Sequence, residues 1–270
     1  MIEPSAPLLF PGQPAPGSAA RRRFRALARS APWLSNSLRL KFQVPALFAD
    51  PARSLSGNLD LIIRQREAVA VHNEDDQLVY QKEFFTADRG RDYVAASMSS
   101  WQLPASLTSP VYTEGHLILR RPEIAGFDGL LPLDYLVSML DPFELAGTEP
   151  ASLELAFDHP TFIHELAETT FNDRPVLAAV LSAGYSYKAV NDDFPLVPAG
   201  SHALIMLDMA TGICVNRQIL DPGPDVEDVQ LSIVAHNEYY IDSLFTSPAP
   251  TLTDVRAPIP WELRNERKSS

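Results

Sequence analysis

His159 and His164 stand five residues apart, and Glu168 follows His164 by four. A histidine and a glutamate at that spacing share one face of a helix, and imidazole with carboxylate is a zinc-ligand pairing. A metal site needs three or four ligands and a supporting shell. The H-E-x-x-H spacing is absent, so the pair is expected on the polar face of a strand or helix, and no metal is expected. Ser182-Ala183-Gly184 and Ser54-Leu55-Ser56-Gly57 lack the strand-turn-helix context of a nucleophile elbow. Cys214, the single cysteine, lies between Ile213 and Val215. It cannot close an internal disulfide, and its apolar flanks predict a buried, inert thiol rather than a thiolate in an electropositive setting. The carboxylate pairs Asp75-Asp76, Asp192-Asp193 and Glu227-Asp228 fall in turn-like stretches and are expected as solvated loop charges. The twelve glycines occur singly, so no phosphate-cradling loop forms. No catalytic residue and no cofactor is assigned, and the chain is expected not to be an enzyme, the alternative being a hydrolase of unknown type.

The charges of the 270-residue chain divide by segment. Its 22 Lys and Arg against 34 Asp and Glu give a formal charge of −12. Arg21, Arg22, Arg23, Arg25, Arg29, Arg39 and Lys41 all precede residue 45, where Glu3 is the one acid, so the head is basic and the remainder strongly acidic. Between Glu123 and Asp242 the bases are Arg174, Lys188 and Arg217 alone. Such a body repels phosphate, so nucleic acid is not an expected partner. The head is expected as a solvated helix paired with the acidic body, or as a contact for an acidic partner or membrane surface. Arg21-Arg22-Arg23-Phe24-Arg25 resembles the start of an export signal, but Arg29 and Pro32 break the apolar run that must follow. The chain as given is therefore expected to be cytoplasmic, with no signal peptide or lipobox. No stretch approaches the ~18 apolar residues of a transmembrane helix.

These groups need elements to position them. Residues 1–18, with five prolines, predict a disordered tail. Phe24, Leu27 and Ala28 share a helix face, predicting a basic helix over 19–30 that Pro32 stops. Period-two alternation predicts strands at Leu38–Phe42, at Leu59, Leu61 and Ile63, and at Val69–Val71. Gln77–Thr86 and Tyr93–Ser99 are further strand candidates. Val111–Arg121 predicts one strand with Leu117 and Leu119 on its apolar face and a bulge at Gly115. Leu133, Leu136, Val137 and Leu140 fall at i, i+3, i+4 and i+7, predicting a helix over about 130–141 that ends at Asp141-Pro142.

Strand patterns return at Ser152–Phe157, Val176–Ala183, Ala203–Leu207, Ile213–Leu220 and Val229–Ala235, with a short element at Tyr239–Phe245. Thr161–Thr170 fits strand or helix, because Phe162, Leu166 and Thr169 suit both. In Asp208-Met209-Ala210-Thr211-Gly212, Asp208 can accept the backbone amides that open a turn, and Gly212 can close it with positive φ. A proline-marked tail is expected over 248–270. Many strands with few helices predict a mainly β, α+β domain over 19–247, built on an antiparallel sheet.

The D-x-x-T-G hairpin, the return strand Ile213–Arg217, and the alternating Asp228–Val234 closed by Ile241-Asp242-Ser243-Leu244-Phe245 resemble the LolA/RseB-like lipoprotein-carrier superfamily, in its actinobacterial form. Met139-Leu140-Asp141-Pro142-Phe143-Glu144-Leu145 is similar to that family's L-D-P-x-x-L segment, and Arg174 and Tyr185–Tyr187 sit where its middle hairpin is expected. The resemblance implies a strongly bent antiparallel sheet, a half-open barrel plugged by helices, whose apolar concavity holds acyl chains. It brings no catalytic residues. On this reading the protein is a non-enzymatic binder of a hydrophobic, acyl or lipid-like ligand or of a lipidated partner. The expected pocket residues are Leu59, Leu61, Ile63, Leu117, Leu119, Leu133, Leu136, Val137, Leu140, Leu231 and Ile233. The alternative is an acidic intracellular regulator or immunity-type protein acting by protein–protein binding.

Overall fold

The computed structural model of the chain describes residues 9–10, 15–64, 67–83, 110–121, 130–150, 159–221 and 227–245. Its centre is one nine-stranded antiparallel sheet. Four strands come first: β1 (Ser37–Gln43), β2 (Asn58–Arg64), β3 (Ala68–His72) and β4 (Leu78–Glu83). A small hairpin follows, β5 (Val111–Tyr112) with β6 (Ile118–Arg120). The rest of the sheet is β7 (Thr161–Phe171), β8 (Arg174–Ala183), β9 (His202–Asp208), β10 (Cys214–Ile219) and β11 (Val229–His236). The strand order is β4-β3-β2-β1-β11-β10-β9-β8-β7. Two meanders, β1–β4 and β7–β11, are thus zipped together by the pairing of β1 with β11, with Leu38 opposite His236 and Phe42 opposite Leu231. The fold is mainly β with few helices, as the alternation predicts. The candidate strands Tyr93–Ser99 and Ser152–Phe157 and the tail 248–270 lie outside the described residues.

One continuous core covers one face of this sheet. Leu38, Leu40 and Phe42 of β1, Leu59, Leu61 and Ile63 of β2, and Val229 and Leu231 of β11 enter it with their alternate side chains. Helix α1 (Ser18–Leu34) adds Phe24, Leu27, Ala28 and Ala31, and the six-residue helix α2 (Tyr135–Leu140) adds Tyr135, Leu136, Met139 and Leu140. Phe48, Tyr135 and Phe194 form an aromatic trio with ring centroids 4.8–5.4 Å apart, tying the β1–β2 loop and the β8–β9 loop to α2. A second, smaller cluster of Ile62, Ala68, Ala70, Tyr240 and Phe245 lies outside that core. No helix among the described residues is long and apolar enough to cross a membrane.

Buried polar groups lock the loops to the core. Arg121 and Asp141 form a two-armed ion pair at 2.6 Å with both side chains 1% exposed. The Arg121 guanidinium lies 4.1 Å from the Phe143 ring centroid and 5.3 Å from that of Trp33. Buried Glu144 accepts bonds from the Tyr187 hydroxyl and from the Val190 and Leu196 amides, gathering the β8–β9 loop onto the turn after α2.

Three expectations need correction. The basic helix does not stop before Pro32: α1 runs through it to Leu34. Proline there lacks one amide donor and disfavours a helical residue before it, but Phe24, Leu27, Ala28 and Ala31 hold that end of the helix on the core. Val111–Arg121 is not one strand with a bulge at Gly115 but the hairpin β5–β6, turned at Thr113–Leu117 with His116 at φ +60°. The turn also reverses the expected face. Ile118 is wholly buried, whereas Leu117 is half-buried and Leu119 is 40% exposed. Thirdly, the basic head is not a uniformly solvated face, because Arg25 and Arg29 of α1 are buried.

Candidate functional site

The expected pocket residues do not form one hollow lining. Leu59, Leu61, Ile63, Leu133, Leu136, Leu140 and Leu231 are each at most 6% exposed and belong to the continuous core. Val137 and Ile233 pack against that core half-buried. Leu117 also packs against the core, but it and the exposed Leu119 have a second setting. They line a groove of roughly 1130 Å³ between α1, the β5–β6 hairpin and the first residues of β7.

Helix α1 supplies one wall. Arg21, Arg25 and Arg29 recur at i, i+4 and i+8, so they form a stripe along one helix face, with Arg22 and Arg23 beside it. Like charges at this spacing destabilise a helix by a few tenths of a kcal/mol per pair. They also crowd the positive end of the helix dipole, whose first turn carries no acid. The deeper arginines are fixed by backbone oxygens rather than by carboxylates. Arg25 Nη2 donates to the Thr161 carbonyl at 3.0 Å, and Arg29 donates to the Ile118 and Ala146 carbonyls at 3.3 and 3.1 Å. Burial lowers the pKa of Arg25 to about 10, helped by Arg21, and that of Arg29 to about 10, helped by Arg25 and Arg121. Both remain charged at neutral pH. Arg23 pairs with Glu168 at the exposed rim. Among the described residues no carboxylate lines the groove itself.

The opposite wall is apolar. Leu117 and Leu119 come from the hairpin, and Phe162 and Ile163 from β7. Phe162 is 38% exposed, a large ring left partly open to solvent. His159 and His164 complete the rim. A surface of this kind, charged along one side and apolar along the other, is suited to amphiphiles.

The candidate chemical residues are distributed elsewhere. His164 Nε2 lies 2.7 Å from Ser182 Oγ, and its ring meets that of His202 edge-on at 5.2 Å. His202 Nδ1 is 3.1 Å from Asp221 Oδ2. Glu168 instead reaches Arg23, so His164 and Glu168 do not converge on a common point. No group of three or more potential metal ligands occurs among the described residues. Cys214 is wholly buried, and burial pushes its thiol up to about 12. Asp208 builds the expected turn: its Oδ1 accepts from Ala210 N, Thr211 N and Thr211 Oγ1, and Gly212 has φ +72°. Arg174 grips the same carboxylate with two bonds, at 2.8 and 3.1 Å.

The arginine stripe and the Phe162–Ile163 wall were not among the expected site residues. The i, i+4, i+8 repeat of arginine on a helix without an acid at its start was the available signal. Comparison of the chain with family models, curated proteins and solved structures finds no match.

Proposed function

We propose that the protein is a non-enzymatic binding protein that holds a hydrophobic, acyl or lipid-like ligand. The ligand lies in the groove between α1, the β5–β6 hairpin and β7. The observation that carries this reading is the apolar wall of Leu117, Leu119, Phe162 and Ile163 bordering roughly 1130 Å³ of space. That volume is of the size that accommodates a drug-sized or acyl ligand. The tightly filled interior between sheet and α2 leaves the groove as the better candidate for the ligand.

The resemblance to the LolA/RseB-like superfamily supports the same reading. So do the all-antiparallel order of the sheet and the helices laid over one face. On this proposal the sheet is a bent half-barrel. The short stretch Leu130–Leu140 would then bridge its two halves, since the Tyr80 hydroxyl on edge strand β4 donates to the Leu130 carbonyl while α2 packs on β10.

The test is native mass spectrometry with organic extraction of the purified chain, followed by titration with a fluorescent C12–C18 fatty-acid probe. A co-purifying amphiphile, or saturable probe binding weakened by Leu119→Asp, is expected. A chain that yields no extractable ligand and binds no acyl probe overturns the proposal. Leu119 is exposed enough that the aspartate can be placed without opening the core.

A further inference from the structure

The charged wall of the groove holds more donors than the fold uses. Arg25 is 7% exposed, and its Nε has no hydrogen-bond partner. Arg21 Nε, one helical turn earlier on the same stripe, is likewise out of contact with water and without a partner. A buried donor left without a partner is costly, more so where the group is charged. Neither Nε is itself open to the groove, but the two guanidiniums line it beside Arg22, and among the described residues no carboxylate lines it, so the stripe presents a cationic wall to an anion. The chain itself places no acid there among its described residues.

We propose that the groove selects amphiphiles with an ionised phosphate monoester head, bound by Arg21 and Arg25 while the acyl chain lies along Leu117, Leu119 and Phe162. This rests on the reading that the groove holds an acyl ligand. Phosphate is favoured over carboxylate for two reasons. A phosphate monoester carries about −1.5 to −2 charges and three acceptor oxygens, whereas a carboxylate brings one charge. The stripe offers several guanidiniums at once, and their planar forks match phosphate oxygens in pairs. The depressed pKa values of Arg25 and Arg29 have the same origin, cations crowded together in a poorly hydrated place.

The experiment compares four compounds as competitors of the fluorescent fatty-acid probe on the full chain: 1-oleoyl lysophosphatidate, oleate, 1-oleoylglycerol and inorganic phosphate. Charge-assisted hydrogen bonds of this kind correspond to roughly 10- to 100-fold in affinity. Lysophosphatidate is therefore expected to bind at least 10-fold more tightly than oleoylglycerol, with oleate between them and inorganic phosphate weakest. Arg21→Gln is expected to erase most of that ratio by weakening lysophosphatidate far more than oleoylglycerol, and Arg25→Lys to reduce the ratio with the charge kept. Raised salt should narrow the preference, because Arg21 is only half-buried and its charge is partly screened.

Equal binding of lysophosphatidate and oleoylglycerol, or a ratio untouched by Arg21→Gln, overturns the headgroup assignment and leaves the acyl groove standing. Inorganic phosphate competing as well as lysophosphatidate also overturns it, in favour of a small-anion site. If none of the acyl compounds binds, the acyl-groove reading fails as well. Circular dichroism of Arg21→Gln separates lost recognition from lost folding, and Arg21 is the safer position because its side chain is only half-buried.

Discussion

Two carboxylates show how opposite settings tune the same group. Burial alone would raise the pKa of Asp208, but the bonds from Arg174 and Thr211 outweigh it and hold the carboxyl below its ordinary range. For Glu144, burial prevails over its hydrogen bonds from Tyr187, Val190 and Leu196, and the pKa is raised. The consequences for stability have opposite signs. The Asp208 contribution is fully present above the unfolded value of about 3.9 and is lost as pH falls through the lower folded value. Glu144 acts the other way: stability declines as pH rises from its unfolded value of about 4.3 towards its higher folded one. Asp208→Asn is therefore expected to cost about 1–3 kcal/mol at pH 7. The gap from the parent chain should close in urea titrations taken progressively below about pH 4. A gap that stays constant with pH would remove the charge from the account of this turn. Arg174 is partly exposed, so solvent screening keeps the figure at the low end of the range.

Among the elements, the D-x-x-T-G hairpin is more than a turn. A Cβ on Gly212 would lie 2.8 Å from the Leu27 carbonyl oxygen and 3.1 Å from Ala31 Cα, so α1 rests directly on the hairpin backbone. Gly57 has nearly the same positive φ, +70°, with nothing within 4 Å of its added Cβ. The two glycines separate conformational strain from close approach. Gly57→Ala is expected to cost about 1–2 kcal/mol, the left-handed penalty alone. Gly212→Ala should cost at least ~2 kcal/mol more, because helix and hairpin must move apart. Paired thermal melts measure the difference, and equal costs would mean that α1 does not press on the turn.

Much of this scale was legible in the sequence. Asp208 and Gly212 announced the hairpin, alternation placed β1, β2, β9 and β11 close to their observed ranges, and a continuous apolar run placed β8. What was misread has local causes. In β7 the register shifts between Ile163 and Glu165. That extra residue breaks the period of two, so Phe162, Leu166 and Thr169 imitate a helix. The turn at Gly115–His116 resets the alternation by one residue, sending Ile118 inward and Leu119 out. Arg25 and Arg29 defeat a reading by residue type, since arginine is rarely buried unless partnered. Here the partners are backbone carbonyls, which leave no trace in composition. The groove was half legible for the same reason: its leucines were named, but its arginines count only once Thr161, Ile118 and Ala146 are seen beside them.

On the scale of the whole molecule, the sheet is continuous only because its first strand pairs with its last. Leu38 lies opposite His236, roughly 200 residues later in the chain. Each meander can form from near neighbours in sequence, whereas this seam must close a very long loop. Closing such a loop costs entropy before its contacts compensate. The seam is therefore expected to form late in folding. Leu40→Ala, at a wholly buried seam position, should cost about 2–5 kcal/mol with a φ-value below ~0.3, appearing mainly as faster unfolding in stopped-flow chevrons. A φ-value near 1 would place the seam in the nucleus instead.

The same seam has a mechanical side. The start of β1 and the end of β11 lie at one end of the pair, fastened there by Asn36 N to Asn237 Oδ1, Asn237 N to the Ser37 carbonyl, and Ser37 Oγ to the Glu238 carbonyl. A tension applied through the chain flanking these strands therefore loads the rungs one after another, as in peeling, rather than all together, as in shear. Three hydrogen bonds at the lip bear the first load, and once they part each remaining rung meets the full force alone. The sheet that is thermodynamically closed by its termini is, to a pulling protease or translocase, open at that same point.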